Sequence, residues 1–392
     1  MNEAMPPSLA PVCGHFGECG GCSSQDVPYE DQLKAKAGRV AEAFAGAGLD
    51  LTLPVRPSPA VWRYRNKMEF AFGDVYPPEE GGPWLRLGFK ARKRWSKTVD
   101  VGSCLLASEE ASAILGRVRA WAAEERLEPY NSVKKVGFLR YLVLREAKNT
   151  AERLVLLVTR AGEVPRESFL RAVGDKTTSA LWGVNAGVAD TADCSSREVL
   201  SGPGFITEAL NLPGRSLRFR ISPQSFFQTN TLAAELLYAR VAAWVEALSP
   251  ERVQDLYCGG GGIGLSVAHA CREVTGVELN PLGVADAKVN AELNGIANSR
   301  FVQGLSEDVM PALPPPDVLI VDPPRPGLHP RLMTAVLSNP APFLIYVSCN
   351  PEALGRNLKD LGAAFEVAEA EAFDLFPHTP HVETAVLLRR RT

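Results

Sequence analysis

The pattern of apolar and polar positions divides the chain into two regions. From about residue 251 onward, short apolar runs alternate with helical stretches. Strands are predicted in RVQDLYC, REVTGVEL, SRFVQG, DVLIVD, FLIYVS and ETAVLLRR. Helices are predicted in LSVAHAC and in PLGVADAKVNAELNG, where a glycine ends the pattern. Such alternation predicts an α/β domain, in which a parallel sheet carries helices on both faces.

The region from about 50 to 215 has a different pattern. Strand-like runs such as KMEFAFG, WLRLGFK, RYLVLREA and RLVLLVTR are separated by turn signals, and helical stretches are scarce. This is typical of a mostly β or α+β domain. One amphipathic helix is predicted at 28–47. Because the chain is too long for one ordinary core, we expect two domains, 1–220 and 221–392, with helix 28–47 as a candidate to pack on the second.

Composition and charge exclude several classes of protein. The 392 residues are 46% hydrophobic and 22% charged, which is ordinary for a globular chain. No stretch approaches the ~20 apolar residues of a membrane span. The N-terminus has no basic and apolar export signal, so we expect a cytoplasmic protein with no membrane partner. The net charge is -3, so any nucleic-acid site must be a local patch, and nothing indicates more than a monomer.

A glycine-rich turn, DLYCGGGGIGLSVA, joins the first predicted strand of the α/β region to a helix. Such glycines allow the backbone to approach a ligand closely, although an ordinary turn can also use them. The next strand ends in Glu278, whose carboxylate can accept hydrogen bonds from both ribose hydroxyls of a nucleoside. The turn lacks a dinucleotide fingerprint and a phosphate-binding Lys-Ser/Thr. S-adenosylmethionine is therefore favoured over NAD or ATP.

Three further side chains are predicted at the same sheet edge. Asp322 follows the fourth strand and two prolines follow it; a helix-capping role is the alternative. Cys349 follows the next strand, either as a small buried hydrophobe or as a nucleophile whose pKa a helix N-terminus lowers. Glu383 begins the last strand and is a candidate general base. A metal site with His378 and His381 is disfavoured, because a strand start does not place all three on one face.

The eight cysteines fall into two sets. Three closely spaced thiols and one distant thiol form the first set: Cys13, Cys19, Cys22 and Cys104. This spacing suits a 4Fe-4S cluster, and four thiolates around zinc are an open alternative. Apart from Cys349, the remaining cysteines are predicted to be structural: Cys194, Cys258 and Cys271.

A basic segment, RLGFKARKRWSK, is a candidate RNA-binding surface. It places six cations among Phe89 and Trp95, a mixture that suits phosphate contact and base stacking. The six cations are Arg86, Lys90, Arg92, Lys93, Arg94 and Lys97. A solvated hairpin face is the alternative. Four later residues are candidates to extend the surface: Lys134, Lys135, Arg140 and Arg145.

These motifs together resemble the RNA uracil-C5 methyltransferase family over nearly the whole chain. The resemblance rests on Asp-Pro-Pro-Arg at 322–325, Ser-Cys-Asn-Pro at 348–351, Phe-Pro-His-Thr-x-His-x-Glu at 376–383, SPQSFFQTN at 222–230 and the N-terminal cysteines. The chain is most similar to the 23S rRNA branch. The resemblance implies a Rossmann-like class I methyltransferase domain with an additional β-rich domain for an iron-sulfur cluster and RNA. It favours 4Fe-4S over zinc.

The resemblance also implies a role for each site residue. Cys349 would add to carbon-6 of a uracil, and Glu383 would later remove the proton from carbon-5. Asp322 would bind the flipped base and face the methionyl end of the cofactor, and Phe226 would line the base pocket. The implied S-adenosylmethionine contacts are Gln228, Tyr257 and Glu278, with Asp322. Gly262 departs from the family, since many members have Asn there.

We therefore predict methylation of carbon-5 of a uridine in 23S rRNA, with S-adenosylmethionine and a 4Fe-4S cluster as cofactors. The first alternative is the same reaction on tRNA. An alternative of another class is a non-catalytic iron-sulfur protein that binds RNA. The joint presence of Cys349 and Glu383 argues against that alternative.

Overall fold

The computed structural model describes residues 12–74 and 84–392. Segment 1–11, in which the sequence predicts no export signal, lies outside these residues. The chain forms two compact units that interleave along the sequence. The first unit comprises Met1–Val27, Ala60–Glu208 and Ser222–Gln224, and the second comprises Pro28–Pro59, Ala209–Ile221 and Ser225–Thr392.

The elements are numbered in chain order. The strands are β1 (Val55–Arg56), β2 (Lys67–Asp74), β3 (Leu85–Ala91), β4 (Arg94–Asp100), β5 (Leu139–Glu146), β6 (Arg153–Thr159), β7 (Ser179–Val184), β8 (Ser196–Ser201), β9 (Ile206–Leu212), β10 (Arg215–Ile221), β11 (Arg252–Leu256), β12 (Glu273–Glu278), β13 (Ser299–Gln303), β14 (Val318–Val321), β15 (Phe343–Ser348), β16 (Phe365–Phe373) and β17 (Glu383–Arg390). The helices are α1 (Tyr29–Gly46), α2 (Glu109–Glu124), α3 (Arg166–Val173), α4 (Thr231–Leu248), α5 (Gly262–Val267), α6 (Pro281–Leu293), α7 (Ser306–Val309), α8 (Pro330–Ser338) and α9 (Pro351–Leu361).

The second unit is built on an eight-stranded sheet of order β1-β16-β17-β15-β14-β11-β12-β13. Strands β11 to β15 run parallel, and β17 runs antiparallel to both β15 and β16. The carboxyl ends of β11, β12, β14 and β15 therefore meet the start of β17 at one edge. All six strands predicted for this region are confirmed. Strand β16 was missed because glutamates interrupt its apolar pattern and much of it is only half-buried.

Helix α1 belongs to the second unit and packs against α9. Its buried side chains recur every fourth residue, which is one face of a helix: Gln32, Lys36, Val40 and Phe44. The two helices approach closely at Gly355, where an added Cβ would lie 2.4 Å from the backbone oxygen of Ala43. Two of the four buried positions carry polar side chains, which a purely structural amphipathic helix does not require.

The first unit contains a seven-stranded sheet of order β4-β3-β2-β5-β6-β7-β8. Its strand pairs are antiparallel except for β6 with β7. Helices α2 and α3 bury apolar faces in the core of this unit. The sequence analysis therefore underestimated the helical content of this unit, since α2 spans 16 residues and is capped by Ser108. Among the residues that the structure describes, no helix is long and apolar enough to cross a membrane.

Candidate active site

The glycine-rich turn after β11 needs residues that tolerate positive φ. Gly259 has φ 54° and Gly261, which caps α5, has φ 83°. Glycine adopts this conformation without a steric penalty, which explains its use at both positions. Tyr257 has φ 63°, which is uncommon for a residue with a side chain. Such backbone conformations cluster at functional sites, so the geometry singles out Tyr257 at this sheet edge.

Two acidic side chains hold this turn by accepting hydrogen bonds from its backbone N–H groups. Glu278 accepts hydrogen bonds from the backbone N–H groups of Gly259 at 3.0 Å and Asn280 at 2.6 Å. Asp255 accepts one from the N–H of Gly264 at 2.8 Å, and burial raises the pKa of Asp255 to about 8. Each carboxylate oxygen of Glu278 keeps further acceptor capacity, so Glu278 can still receive ribose hydroxyls.

A cavity lies beside the turn in the second unit. Its lining includes Phe226, Tyr238, Tyr257 and Asp322 together with loop residues. Gln228 is buried, and its amide nitrogen lies 3.4 Å from a carboxylate oxygen of Asp322. The structure therefore brings Gln228, Tyr257 and Asp322 together at this cavity, while Glu278 contacts the adjoining turn at Gly259. Phe226 also lies here, with 60% of its surface exposed.

Tyr238 is a cavity residue that the sequence analysis missed. It is buried on α4, an 18-residue helix that was also not predicted. A Cβ added at Gly262 would lie 2.9 Å from the Tyr238 hydroxyl. Tyr238 thus occupies the space that a side chain at position 262 would need, which explains why this chain has glycine there. Only the three-dimensional packing of α4 against α5 reveals this relation.

Cys349 and Glu383 lie next to each other across two neighbouring strands. Ser348, the last residue of β15, pairs with Thr384 of β17. Cys349 follows the first of these residues and Glu383 precedes the second, so both lie at the edge that carries the glycine-rich turn. Cys349 is half-buried, whereas only 1% of Glu383 is exposed. The sheet register therefore brings a thiol and a carboxyl group to neighbouring positions.

The pKa of the Cys349 thiol is raised to about 11, chiefly by burial and then by the charges of Glu383 and Asp322. Arg325 acts in the opposite direction. The prediction of a lowered thiol pKa is therefore wrong. Helix α9 does begin beside the cysteine, but Asn350 caps it and accepts its free N–H groups. The helix N-terminus is thus already satisfied, and burial together with the two carboxylates outweighs it.

The two carboxyl groups of this edge also act on each other. Burial raises the pKa of Glu383 well above its ordinary value, and the charge of Asp322 raises it further. Burial raises the pKa of Asp322 to about 7, and its hydrogen bond from Gln228 opposes this. Within the described residues, Glu383 Oε1 has no hydrogen-bond partner. A buried carboxyl group with one open oxygen is suited to take up a proton.

The two histidines before Glu383 have different neighbours. His378 contacts Gln32, with Nδ1 lying 3.3 Å from the amide nitrogen. His381 lies 3.3 Å from a guanidinium nitrogen of Arg325 and packs edge-on against Phe376. Over residues 12–74 and 84–392, no group of three or more His, Cys, Asp or Glu side chains could hold a metal ion. The metal interpretation of this segment is therefore not supported.

The four predicted cluster cysteines line a single cavity of the first unit, together with Gln25. The set is Cys13, Cys19, Cys22 and Cys104. The N–H of Gly21 donates to the Cys19 sulfur at 3.4 Å, and Gln25 accepts from the N–H of Cys13 at 3.3 Å. Burial, with the charges of the neighbouring thiols, raises the pKa of Cys19 and Cys22 to about 11. No group of three or more His, Cys, Asp or Glu side chains among the described residues could hold a metal ion, so the structure does not support the iron-sulfur cluster, which stays a prediction.

The basic segment forms the β3–β4 hairpin, and its cations differ in their surroundings. Lys90 pairs with Asp190 at 2.9 Å, and Lys97 pairs with Glu18 at 2.7 Å. Arg86 is half-buried, whereas three residues at the tip are exposed: Arg92, Lys93 and Arg94. Trp95 is 63% exposed, while the Phe89 ring lies 4.8 Å from that of Phe70. The tip of the hairpin, rather than the whole segment, offers free charge and an aromatic face.

The proposed extension of this surface is partly wrong. Arg140 is buried, donates to the carbonyl of Asn185 at 3.2 Å and stacks over Tyr130. Arg145 is also buried and donates to the carbonyl of Pro223 at 2.9 Å. Both guanidinium groups hold loops of the first unit in place and are not available to RNA. Lys134 and Lys135 are exposed.

Known proteins resemble this chain along nearly its whole length. An uncharacterized RNA methyltransferase of Clostridium tetani is 38% identical over 399 residues, covering 99% of this chain and 86% of the relative. A tRNA (uracil(54)-C(5))-methyltransferase of Pyrococcus horikoshii is 36% identical over 390 residues, covering 99% and 88%. The crystal structure of the Pyrococcus abyssi tRNA (uracil-54, C5)-methyltransferase in complex with S-adenosyl-L-homocysteine superposes with a TM-score of 0.78 at 32% identity, covering 94% of this chain and 86% of that chain.

The family model for tRNA (uracil-5-)-methyltransferases matches residues 185–314 and 316–391. These ranges include the glycine-rich turn, Asp322, Cys349 and Glu383. The mixed α/β methyltransferase fold and the family predicted from the sequence are thus confirmed. The chain belongs to the RNA uracil-C5 methyltransferase family.

Proposed function

We propose that the protein catalyses S-adenosylmethionine-dependent methylation of carbon-5 of a uridine in RNA. The observation that carries this proposal is the adjacency of Cys349 and Glu383 at the edge that also holds Asp322. Carbon-5 of uracil is a poor nucleophile, so this reaction needs a thiol and a base side by side. Membership of the family supports the same activity.

Each side chain then has a defined step. The thiolate of Cys349 forms a bond to carbon-6, which moves the ring electrons toward carbon-5 and its neighbouring carbonyl. When bound, S-adenosylmethionine would supply the methyl group to carbon-5, with its sulfonium S–CH3 bond breaking and S-adenosylhomocysteine as the leaving group. Glu383 accepts the carbon-5 proton, the electrons of that C–H bond restore the ring double bond, and the bond from carbon-6 to sulfur breaks. Asp322 holds the polar edge of the base.

The cavity beside the glycine-rich turn is the proposed cofactor site. Gln228, Tyr257 and Glu278 would bind S-adenosylmethionine, with Asp322 toward its methionyl end. The carboxylate of Glu278 at the end of β12 suits a ribose, and the exposed ring of Phe226 offers a stacking surface. The complex of the Pyrococcus abyssi relative with S-adenosyl-L-homocysteine supports this cofactor.

We propose tRNA as the substrate class. The sequence resemblance favoured 23S rRNA, whereas the relatives with a printed substrate, from Pyrococcus horikoshii and Pyrococcus abyssi, are tRNA (uracil(54)-C(5))-methyltransferases. These names support the alternative better than the main prediction. Transcripts of tRNA and of 23S rRNA fragments, offered together with labelled cofactor, separate the two substrates.

We also propose that the cysteine quartet holds a 4Fe-4S cluster. Four thiols around one cavity, with a backbone N–H donating to one sulfur, suit a group in which each thiolate binds its own iron. The residues that would hold it are Cys13, Cys19, Cys22 and Cys104. The cluster is assigned no step in the methylation.

The test of the proposed reaction separates bond formation from release. Cys349→Ala should abolish methyl transfer and form no covalent RNA adduct, since no thiolate reaches carbon-6. Glu383→Gln should transfer the methyl group but retain the RNA on Cys349, giving a labelled protein–RNA band on a denaturing gel. Cys271→Ala, which removes a thiol from the same unit outside the site, is the control and should retain activity. Methyl transfer by Cys349→Ala at the normal rate would refute the mechanism.

A further inference from the structure

The segment that leads into Glu383 is held by helix α1. This segment, residues 374–382, connects β16 to β17. Its first residue, Asp374, receives a salt bridge from Lys36 at 2.6 Å and a hydrogen bond from the Tyr29 hydroxyl at 2.9 Å. Lys36 also donates to the carbonyl of Phe376 at 3.1 Å. One buried lysine of α1 thus contacts two points of the segment.

A second contact fixes the middle of the segment. His378 has φ 65°, a conformation that is uncommon for a residue with a side chain and persists only where neighbours hold it. The side-chain oxygen of Gln32 accepts the His378 N–H at 2.9 Å. The amide nitrogen of Gln32 faces Nδ1 of the ring at 3.3 Å. The Gln32 side chain therefore contacts both the backbone and the ring of this strained residue.

A third contact ties the segment to the helix after Cys349. Arg39 of α1 donates to the carbonyl of Pro380. Its other terminal nitrogen forms a salt bridge of 2.6 Å with Glu352, in the first turn of α9. Helix α1 thereby contacts both the approach to Glu383 and the helix that follows Cys349.

The polar side chains that make these contacts are buried, and burying polar or charged groups costs free energy. Gln32 is 4% exposed, Lys36 2% and Asp374 0%. A buried ion pair is seldom more stabilising than apolar side chains of similar size, which would attach α1 to the sheet equally well. What the polar set adds is a defined geometry for residues 374–382.

We propose that Gln32 and Lys36 are positioning residues, which hold segment 374–382 so that the carboxyl group of Glu383 faces Cys349. The inference rests on the proposed function, because it concerns the base of that reaction. Thiol addition and methyl uptake do not use Glu383. Loss of positioning should therefore slow the release of methylated RNA and leave its formation on the enzyme.

The experiment measures both steps with the full-length protein, labelled S-adenosylmethionine and tRNA. With Gln32→Ala, we expect methyl transfer within about threefold of the wild type and release slower by about 10- to 100-fold, the effect of small misplacements of a catalytic group. The labelled covalent band should accumulate. Gln32→Asn, which keeps the amide, should fall between the two and serves where Gln32→Ala does not fold.

Two variants of α1 serve as controls. Val40→Ala truncates a buried apolar side chain of the same helix and should lower stability without changing the ratio of bound to released product. Lys34→Ala removes an exposed cation paired with Asp31 and should change neither. A ratio for Gln32→Ala equal to that for Val40→Ala would overturn the inference. If Glu383→Gln also traps no RNA, the proposed function fails instead.

Discussion

At the scale of single residues, the site is a thiol placed among carboxyl groups. The positions of Cys349 and Glu383 could be predicted, because Cys349 follows one strand and Glu383 begins another, and the apolar pattern shows where strands begin and end. The thiol's pKa could not be predicted, since it depends on burial of the thiol and then on the charges of Glu383 and Asp322, which are distant in sequence. Local signals favoured the helix N-terminus, and only the structure reveals that Asn350 already satisfies it.

The first prediction concerns the titration of Cys349. Its pKa of about 11 means that the thiolate is scarce at pH 8 and increases as the pH rises. Glu383→Gln removes the carboxyl group whose charge raises the thiol pKa, so the midpoint of alkylation should shift to lower pH. Iodoacetamide labelling of the peptide containing Cys349, followed by mass spectrometry across pH, measures this. An unchanged midpoint would show that the carboxylate does not act on the thiol.

At the scale of elements, helix α1 was predictable and its role was not. The pattern from 28 to 47 gave the helix, and its bounds are Tyr29–Gly46. The pattern does not reveal that Gln32 and Lys36 are buried, because local sequence gives no account of Asp374 and His378, over 300 positions away. A lysine and a glutamine on the same face as Val40 and Phe44 were the available signal.

The second prediction concerns the contact between α1 and α9. Gly355→Ala places a Cβ 2.4 Å from the backbone oxygen of Ala43, so the helices must separate. We expect a loss of about 1–3 kcal/mol in the free energy of unfolding, as for other overpacked sites. Gly38→Ala is the matched control, because this glycine of α1 has open space around its added Cβ. It should stabilise by about 0.5–1 kcal/mol. Urea denaturation distinguishes the two, and equal effects would contradict the close packing.

At the scale of the whole molecule, two units share one chain that passes between them several times. The change of pattern near residue 220 led to an expected boundary there, while contacts assign residues 28–59 to the second unit. Strand β1 lies beside β16, more than 300 residues later. Such long-range pairing leaves no local signal, so sequence patterns predict the class of each region better than its membership.

The third prediction concerns the cysteine cavity. Protein purified without oxygen should contain about four irons per chain and be brown. Cys104→Ser should lose the iron as fully as Cys19→Ser, since both sulfurs line the same cavity despite their separation in sequence. Cys194→Ser is the control, because Cys194 lies in the same unit but outside this cavity, and it should keep the iron. Stoichiometric zinc in place of iron would contradict the cluster.

The fourth prediction concerns RNA binding by the tip of the β3–β4 hairpin. Lys93 and Arg94 are exposed, whereas Lys90 and Lys97 are already paired with acidic side chains. If both exposed cations contact phosphates, Lys93→Ala with Arg94→Ala should reduce the slope of log K against log salt concentration by about 1.5.

Affinity for S-adenosylmethionine should not change, since the cofactor residues lie in the other unit. The charge-conserving pair Lys93→Arg with Arg94→Lys is the control and should keep the wild-type slope. Filter binding of tRNA at salt concentrations from about 50 to 300 mM measures this slope, because binding through phosphate contacts is strongly salt-dependent in roughly this range. An unchanged slope in the double alanine variant would mean that these cations form only a solvated hairpin face.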